Sequence, residues 1–510
     1  MNLELLLAHA DDHRPTAPEG LPVESAANEP CPAQGTEPLH PWEPDGDPND
    51  LSLQRWGVIA PEGPRGERLL ALIQPLMELR QADQGGAPVR IHRAPSSLGD
   101  AEAVAWKRRA LEHEAFPQTE QPRYLLLLGD FDELSFELQR VLASDSFLGR
   151  LAFRDDAGFE AYVAKVLRWE RAPSPPARGR AVFHTVHDGT AATLLGYSTL
   201  VAPIISRCRE QLMVGASPAQ EILEIGDPID WSPQRFLATA RMEAPSLLFT
   251  LSHGLGAPRA GWSSRDAQRH LQGTMCLGGR QHLEPGDLAR GPFLPGGIWF
   301  YFAGFGVGTP AASAFHPWLR RLHATGSQAG QLEAILASLP REGERPFVSA
   351  LPQAALANPD GPLAVLGPME LAWSHGFQEP DSSFSRVASF LSVFRAMLAG
   401  KRVGIGLGAL LRAFTETNLE LARLSSFADR VRRAQLWMLR QELGAYILLG
   451  DPATRLPLER RAGGRRCTTT RAMGDEDPPR AEHFSPPGRH RAAVAEGRGP
   501  SGSACARWPG

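Results

Sequence analysis

Lysine is nearly absent: only Lys107, Lys165 and Lys401 occur among the 53 basic residues of this 510-residue sequence. Arginine carries the rest, a bias that a GC-rich genome explains more simply than fifty functional guanidinium groups. Net charge is also scarce, since 53 bases against 57 acids leave −4. A general nucleic-acid or membrane-surface binder needs a strong basic excess, so neither partner is expected. The five cysteines (Cys31, Cys208, Cys276, Cys467, Cys505) show no C-x-x-C spacing. That pattern speaks against a disulfide framework and a cysteine-based zinc site, and makes a reducing cytoplasm the expected location. No run approaches the roughly eighteen apolar residues of a membrane span. The opening MNLELLLAHADD has no basic n-region, so no secretory signal is expected. Function must come from a site.

What is present is the composition of a globular chain, 42% apolar and 22% charged. At about 100–200 residues per domain, its length allows two to four folding units or one large α/β unit. Residues 1–52 are read as a disordered leader, crowded with Pro, Asp, Glu, Gly and Asn from about residue 11. Residues 458–510 are read as a disordered tail, with ten Arg against six acids and almost no large apolar side chains. Neither end holds enough apolar surface to offset the entropy of ordering it, so both are expected to be dispensable for folding.

Between the ends, short apolar runs alternate with amphipathic stretches, the signature of a βα succession and a mostly parallel sheet. Strands are expected at Trp56–Ala60, Val89–His92, Tyr124–Leu128, Ala181–Thr185, Ile222–Ile225, Leu247–Leu251, Gly297–Phe302, Phe347–Leu351 and Tyr446–Leu449. Helices are expected between them, among them Arg65–Arg80, Gly158–Glu170, Leu194–Leu212 and two between Phe384 and Glu442. A Pro- and Gly-rich segment at 171–180 suggests a boundary, giving an N-terminal α/β subdomain over 53–172 and a second over 173–457.

In open α/β sheets the working groups follow the carboxyl ends of strands. After SLLFTL comes Ser252-His253-Gly254, and after GGIWFYF comes Ala303-Gly304-Phe305-Gly306-Val307-Gly308. The separation of 51 positions between His253 and Gly304 is that of a caspase-like histidine and its nucleophile. With YLLLLGD and GRLAF in the first half and AYILLGDPATRLP near the end, the chain resembles the gingipain-type and caspase-like cysteine peptidases, CHAT domains included, over about Leu53–Pro457. The resemblance implies a caspase-like α/β fold, with a mostly parallel sheet flanked by helices. It also implies that His253 is the general base or leaving-group acid and that Gly254 and Gly304 supply oxyanion-binding amides. The nucleophile position falls on Gly304, which has no side chain. The expected function is therefore an inactive pseudopeptidase that binds a peptide or protein; the alternatives are a working peptidase using Cys276, and a signalling or assembly scaffold.

Other residues have plainer readings. Cys276, 23 residues after His253, is a substitute nucleophile or a small buried hydrophobe. His184, His187 and Asp188 in HTVHDG lack a third ligand at metal-binding spacing and read as a polar loop. Asp130 and Asp132 read as caps of the next helix, and Ser374-His375-Gly376 as a coincidental repeat. Pro352–Pro362 reads as a loop walling a cleft. Gly306 and Gly308 complete no phosphate-binding motif, so no nucleotide, cofactor or metal is expected.

Overall fold

The computed structural model describes residues 2–28, 46–112, 120–226, 229–241, 244–326, 329–341, 343–377, 386–424 and 430–459. Met1–Arg460 form one unit. The tail expected over 458–510 lies outside the described residues from residue 460 onward.

The N-terminal segment carries β1 (Asn2–Leu3), β2 (Leu7–His9) and β3 (Leu21–Pro22). The first half then supplies β4 (Trp56–Pro61), β5 (Arg90–Ala94), β6 (Tyr124–Leu128) and β7 (Phe147–Leu151). The second half supplies β8 (Arg180–Thr185), β9 (Glu221–Ile225), β10 (Ser246–Leu251), β11 (Gly254–Gly256), β12 (Met275–Gly278) and β13 (Gln281–Leu283). It continues with β14 (Ile298–Phe302), β15 (Gly308–Thr309), β16 (Phe347–Val348), β17 (Ala364–Pro368) and β18 (Tyr446–Leu449). Ten of these strands make one sheet in the order β5-β4-β6-β7-β18-β17-β14-β10-β8-β9. Each neighbouring pair is parallel except β17 with β18, so two parallel halves meet along one antiparallel seam. A mostly parallel sheet flanked by helices is the fold class expected of the chain.

Continuous apolar strands are buried on both faces, and their alternation assigns each side chain to a layer. In β14, Trp299 and Tyr301 join the core beneath helices Asp156–Glu170 and Ala350–Ala357. Ile298, Phe300 and Phe302 face the other way, toward helices Ala202–Met213, Val387–Leu398 and Val403–Arg423.

Several expectations need correction. The leader is not disordered over its first 28 residues: Leu5, Leu6, Leu7 and Ala8 are buried, and β2 pairs with β11 in a four-stranded sheet. Local composition gave little signal because, apart from the Ala8–Pro15 bridge, this strand pairs with Gly254–Gly256 and Trp373, more than 240 residues away in sequence. The boundary near residue 172 does not divide the core, because β18 runs beside β7 and the two halves share one sheet. The expected strand Phe347–Leu351 ends at Val348, and its apolar run continues as helix Ala350–Ala357, which also replaces most of the expected 352–362 loop. The helix expected over 65–80 is two helices, Pro64–Leu72 and Gln74–Asp83, split at Ile73 just ahead of Pro75.

Candidate active site

The chain leaves β8, forms the edge strand β9, and returns on the other side of β8 as β10. Connections therefore diverge at β8 and β10, and in open α/β sheets the working groups gather at the carboxyl ends of such strands. His253 stands two residues beyond β10, Asp188 three beyond β8, and Gly304 two beyond β14. The topology brings the three together.

His253 is 1% exposed. Its Nε2 lies 2.9 Å from Thr190 Oγ1 and 3.6 Å from Asp188 Oδ2. Asp188 Oδ1 accepts from the Thr190 amide at 3.1 Å, the Thr190 hydroxyl at 2.9 Å and the Thr193 hydroxyl at 2.6 Å. With its hydroxyl hydrogen on Asp188, Thr190 accepts from His253 Nε2–H, which leaves the Nδ1 lone pair free; Nδ1 is buried without a partner. Burial pulls the imidazole below its usual pKa and outweighs the opposing pull of Asp188, so the ring is neutral at pH 7. A neutral, oriented imidazole with a free lone pair has the form of a general base.

Gly304, the expected nucleophile position, has no side chain for such a base to activate. Gly304 N–H donates to Leu6 O at 3.0 Å and Gly254 N–H donates to the same oxygen at 3.2 Å. A Cβ on Gly304 would stand 2.7 Å from that oxygen, and one on Gly254 would stand 1.9 Å from Gly304 O. Both turns thus need glycine for close backbone approach. The two amides expected to hold an oxyanion hold the chain's own Leu6 carbonyl instead. Ser374 secures the same strand: its amide donates to Glu4 O at 2.8 Å, and its hydroxyl accepts from Glu4 N at 3.0 Å. His375 is buried and bonds Gln435 O at 2.7 Å, so in this second Ser-His-Gly run it is the serine that touches the N-terminal strand.

Cys276 lies in β12, where its amide donates to His253 O at 3.0 Å. It is 3% exposed, and burial pushes its thiol far above the usual range, so it stays protonated. His184 and His187 line a separate cavity of about 370 Å³ between the ends of β8 and β9, walled by Trp231 and Phe236. Burial holds His184 at a pKa of about 4. Among the described residues, no three His, Cys, Asp or Glu side chains converge as a metal would require. Asp130 caps no helix; it accepts from the Phe131 and Val348 amides, and Ser135 caps helix Phe136–Leu142. Asp132 stands 3.8 Å from both Arg269 and Arg345. Gly308 pairs with Val348 in the β15–β16 ribbon. Sequence reasoning missed Thr190, Thr193 and Leu6, and saw Asp188 without linking it to His253. The usable signal was that HTVHDG follows a strand adjacent to the histidine's own.

No family model and no curated protein matches the chain. Among solved structures it is similar, at 12% identity and a TM-score of 0.46, to a chain described as a protease, over 79% of this chain and 78% of that one. It is similar to the Arg-specific cysteine proteinase gingipain R at 12% identity and a TM-score of 0.44, over 81% and 80%. A Saccharomyces cerevisiae separase–securin complex matches at 11% identity and a TM-score of 0.32, over 66% of this chain and 16% of that one. Gingipain is the kind of protein the sequence motifs resemble. Identity is low in each case, and no residue role is carried over from these structures.

Proposed function

We propose that this chain is a catalytically silent relative of caspase-like cysteine peptidases, a pseudopeptidase that holds a peptide or protein segment rather than cutting one. The observation that carries the reading is Gly304. Acyl transfer at such a site needs a thiolate to attack the carbonyl while amides hold the developing oxyanion. Gly304 offers no thiolate, and both amides are bonded to Leu6 O. Losing the nucleophile from a cooperating catalytic set costs on the order of a million-fold in turnover. A buried, protonated Cys276 does not replace it. A cytoplasmic location and a protein partner, without nucleic acid or membrane, accompany this reading. One helical run, Ala191–Met213, is long and apolar enough to cross a membrane, yet it packs Leu200, Ile204 and Ile205 into the core beside β8.

A mixed library of fluorogenic peptides, screened on wild type and on His253→Ala, tests the proposal. No thiol-sensitive cleavage should depend on His253. Cleavage that both His253→Ala and Cys276→Ala abolish would overturn it and install the cysteine as nucleophile.

A further inference from the structure

Residues Leu3–His9 lie in the cleft as an added strand lies in a peptide groove. Their backbone is paired on both sides. On one side β2 runs parallel to β11, with Leu7 opposite Gly254 and His9 opposite Gly256. On the other, Leu5 bridges Trp373 in the antiparallel sense and Leu6 N–H donates to Ala372 O at 3.0 Å. Alternate side chains then enter different surroundings, as extended backbone requires. Leu3, Leu5 and Leu7 join an aromatic cluster of Phe305, Trp318, Trp373 and Trp437. Leu6 points into the opposite core with Phe302 and Phe377. Its carbonyl is the group that meets the Gly254 and Gly304 amides, where a reacting carbonyl would sit in a working site of this design.

We infer that Leu3–His9 is a built-in pseudosubstrate. The cleft recognises an extended, leucine-rich segment through main-chain pairing and alternating apolar sockets, and the chain supplies that segment itself. This rests on the silent-cleft reading above and adds the class of partner: an extended apolar segment that presents a backbone carbonyl to Gly254 and Gly304. Such a segment from another protein competes with the resident strand, so entry requires the strand to leave.

The test uses the full chain carrying Leu5→Asp and Leu7→Asp, charges that the aromatic cluster cannot solvate. A fluorescein-labelled peptide with the sequence of residues 2–12 should bind this variant at least tenfold more tightly than wild type, read by anisotropy. Carrying Leu6→Pro, the same peptide loses the donor to Ala372 O and should bind at least tenfold more weakly. If the variant does not melt cooperatively, wild type with a specific protease site inserted within residues 29–45 takes its place. After cutting, only non-covalent contacts hold the strand, and excess labelled peptide should exchange into the cleft. A folded variant or cut wild type that takes up no peptide overturns the inference, as does equal binding to uncut wild type. Uptake accompanied by cleavage of the peptide would overturn the catalytic silence instead and leave this assignment standing.

Discussion

At Gly304 the absence of one side chain and the presence of one carbonyl oxygen are the same fact seen from two sides. A Cβ there would meet Leu6 O at 2.7 Å, closer than real Cβ contacts allow, so a cysteine and the resident strand cannot both keep their places. Gly304→Cys should therefore cost about 1–3 kcal/mol, the usual range for overpacking, and its thiol should react slowly with iodoacetamide. Combined with Leu5→Asp and Leu7→Asp, the same thiol should label faster, and His253→Ala should slow it again. Labelling rates read by mass spectrometry decide; a fast thiol in the single variant would show that Leu6 yields easily. A second residue-scale prediction concerns His375, whose Nε2–H donates to Gln435 O at 2.7 Å and whose pKa burial and Arg386 pull down to about 3. Unfolded, the ring titrates near 6.5. Between those values the unfolded chain binds a proton that the native chain excludes, so stability falls as pH drops below about 6.5, by up to about 1.4 kcal/mol per pH unit for one group. In His375→Gln, urea midpoints taken at pH 7, 6 and 5 should decline less steeply than in wild type. An unchanged slope would mean that the ring takes up its proton in the folded state as readily as in the unfolded one. His253 and the two glycines were legible in the sequence because strand ends mark themselves by a switch from apolar to small residues. Asp188 and Thr190 were not, because their link to His253 depends on which strands are neighbours, and strand order is not written locally.

The elements that were misread share one physical cause. MNLELLLAHADD is too short to show a period, and its strand is stabilised by Gly254–Gly256 and by Ala372–Ser374, partners that no window of sequence contains. Phe347–Leu351 is a short apolar run, which periodicity cannot assign to strand or helix; here it serves as both. By contrast β4, β6, β8, β10 and β14 were found within a residue or two, since strands covered on both faces read as unbroken apolar runs. The N-terminal strand therefore behaves as core, and Trp318 Nε1–H donating to Ser25 O at 2.9 Å ties down its continuation. Leu5→Ala should cost about 2–5 kcal/mol, the range for emptying a buried leucine site. Removing residues 2–28 should lower the melting temperature sharply, where composition alone predicted no effect. A truncated chain that melts cooperatively within a few degrees of full length would show the segment to be a removable strap.

Across the whole molecule, the seam between the halves is held at Asp451, just past β18. Its carboxylate pairs with Arg80 Nε at 2.7 Å and accepts from Trp56 Nε1–H at 2.9 Å, while its own amide donates to the Tyr162 hydroxyl at 2.7 Å. Arg80 and Asp451 are both fully buried, and Arg80, Trp56 and Tyr162 all come from the first half. A residue from the C-terminal end thus neutralises a buried guanidinium near the N-terminal one, and surrounding acids hold that guanidinium's pKa above its usual value. Without Asp451, Arg80 keeps Asp83 at 2.6 Å and Glu170 at 3.2 Å, but its Nε and the Trp56 Nε1–H lose their buried acceptor, at a cost of about 1–3 kcal/mol for each donor left unmet. Asp451→Ala should therefore destabilise both halves together, because the sheet is continuous across β7 and β18. Urea unfolding followed by tryptophan fluorescence and by far-ultraviolet circular dichroism should give coincident transitions, with the midpoint lowered in the variant. Two separated transitions would instead mean that the halves fold independently and that the boundary suggested by the Pro-rich 171–180 segment is a real division of the chain.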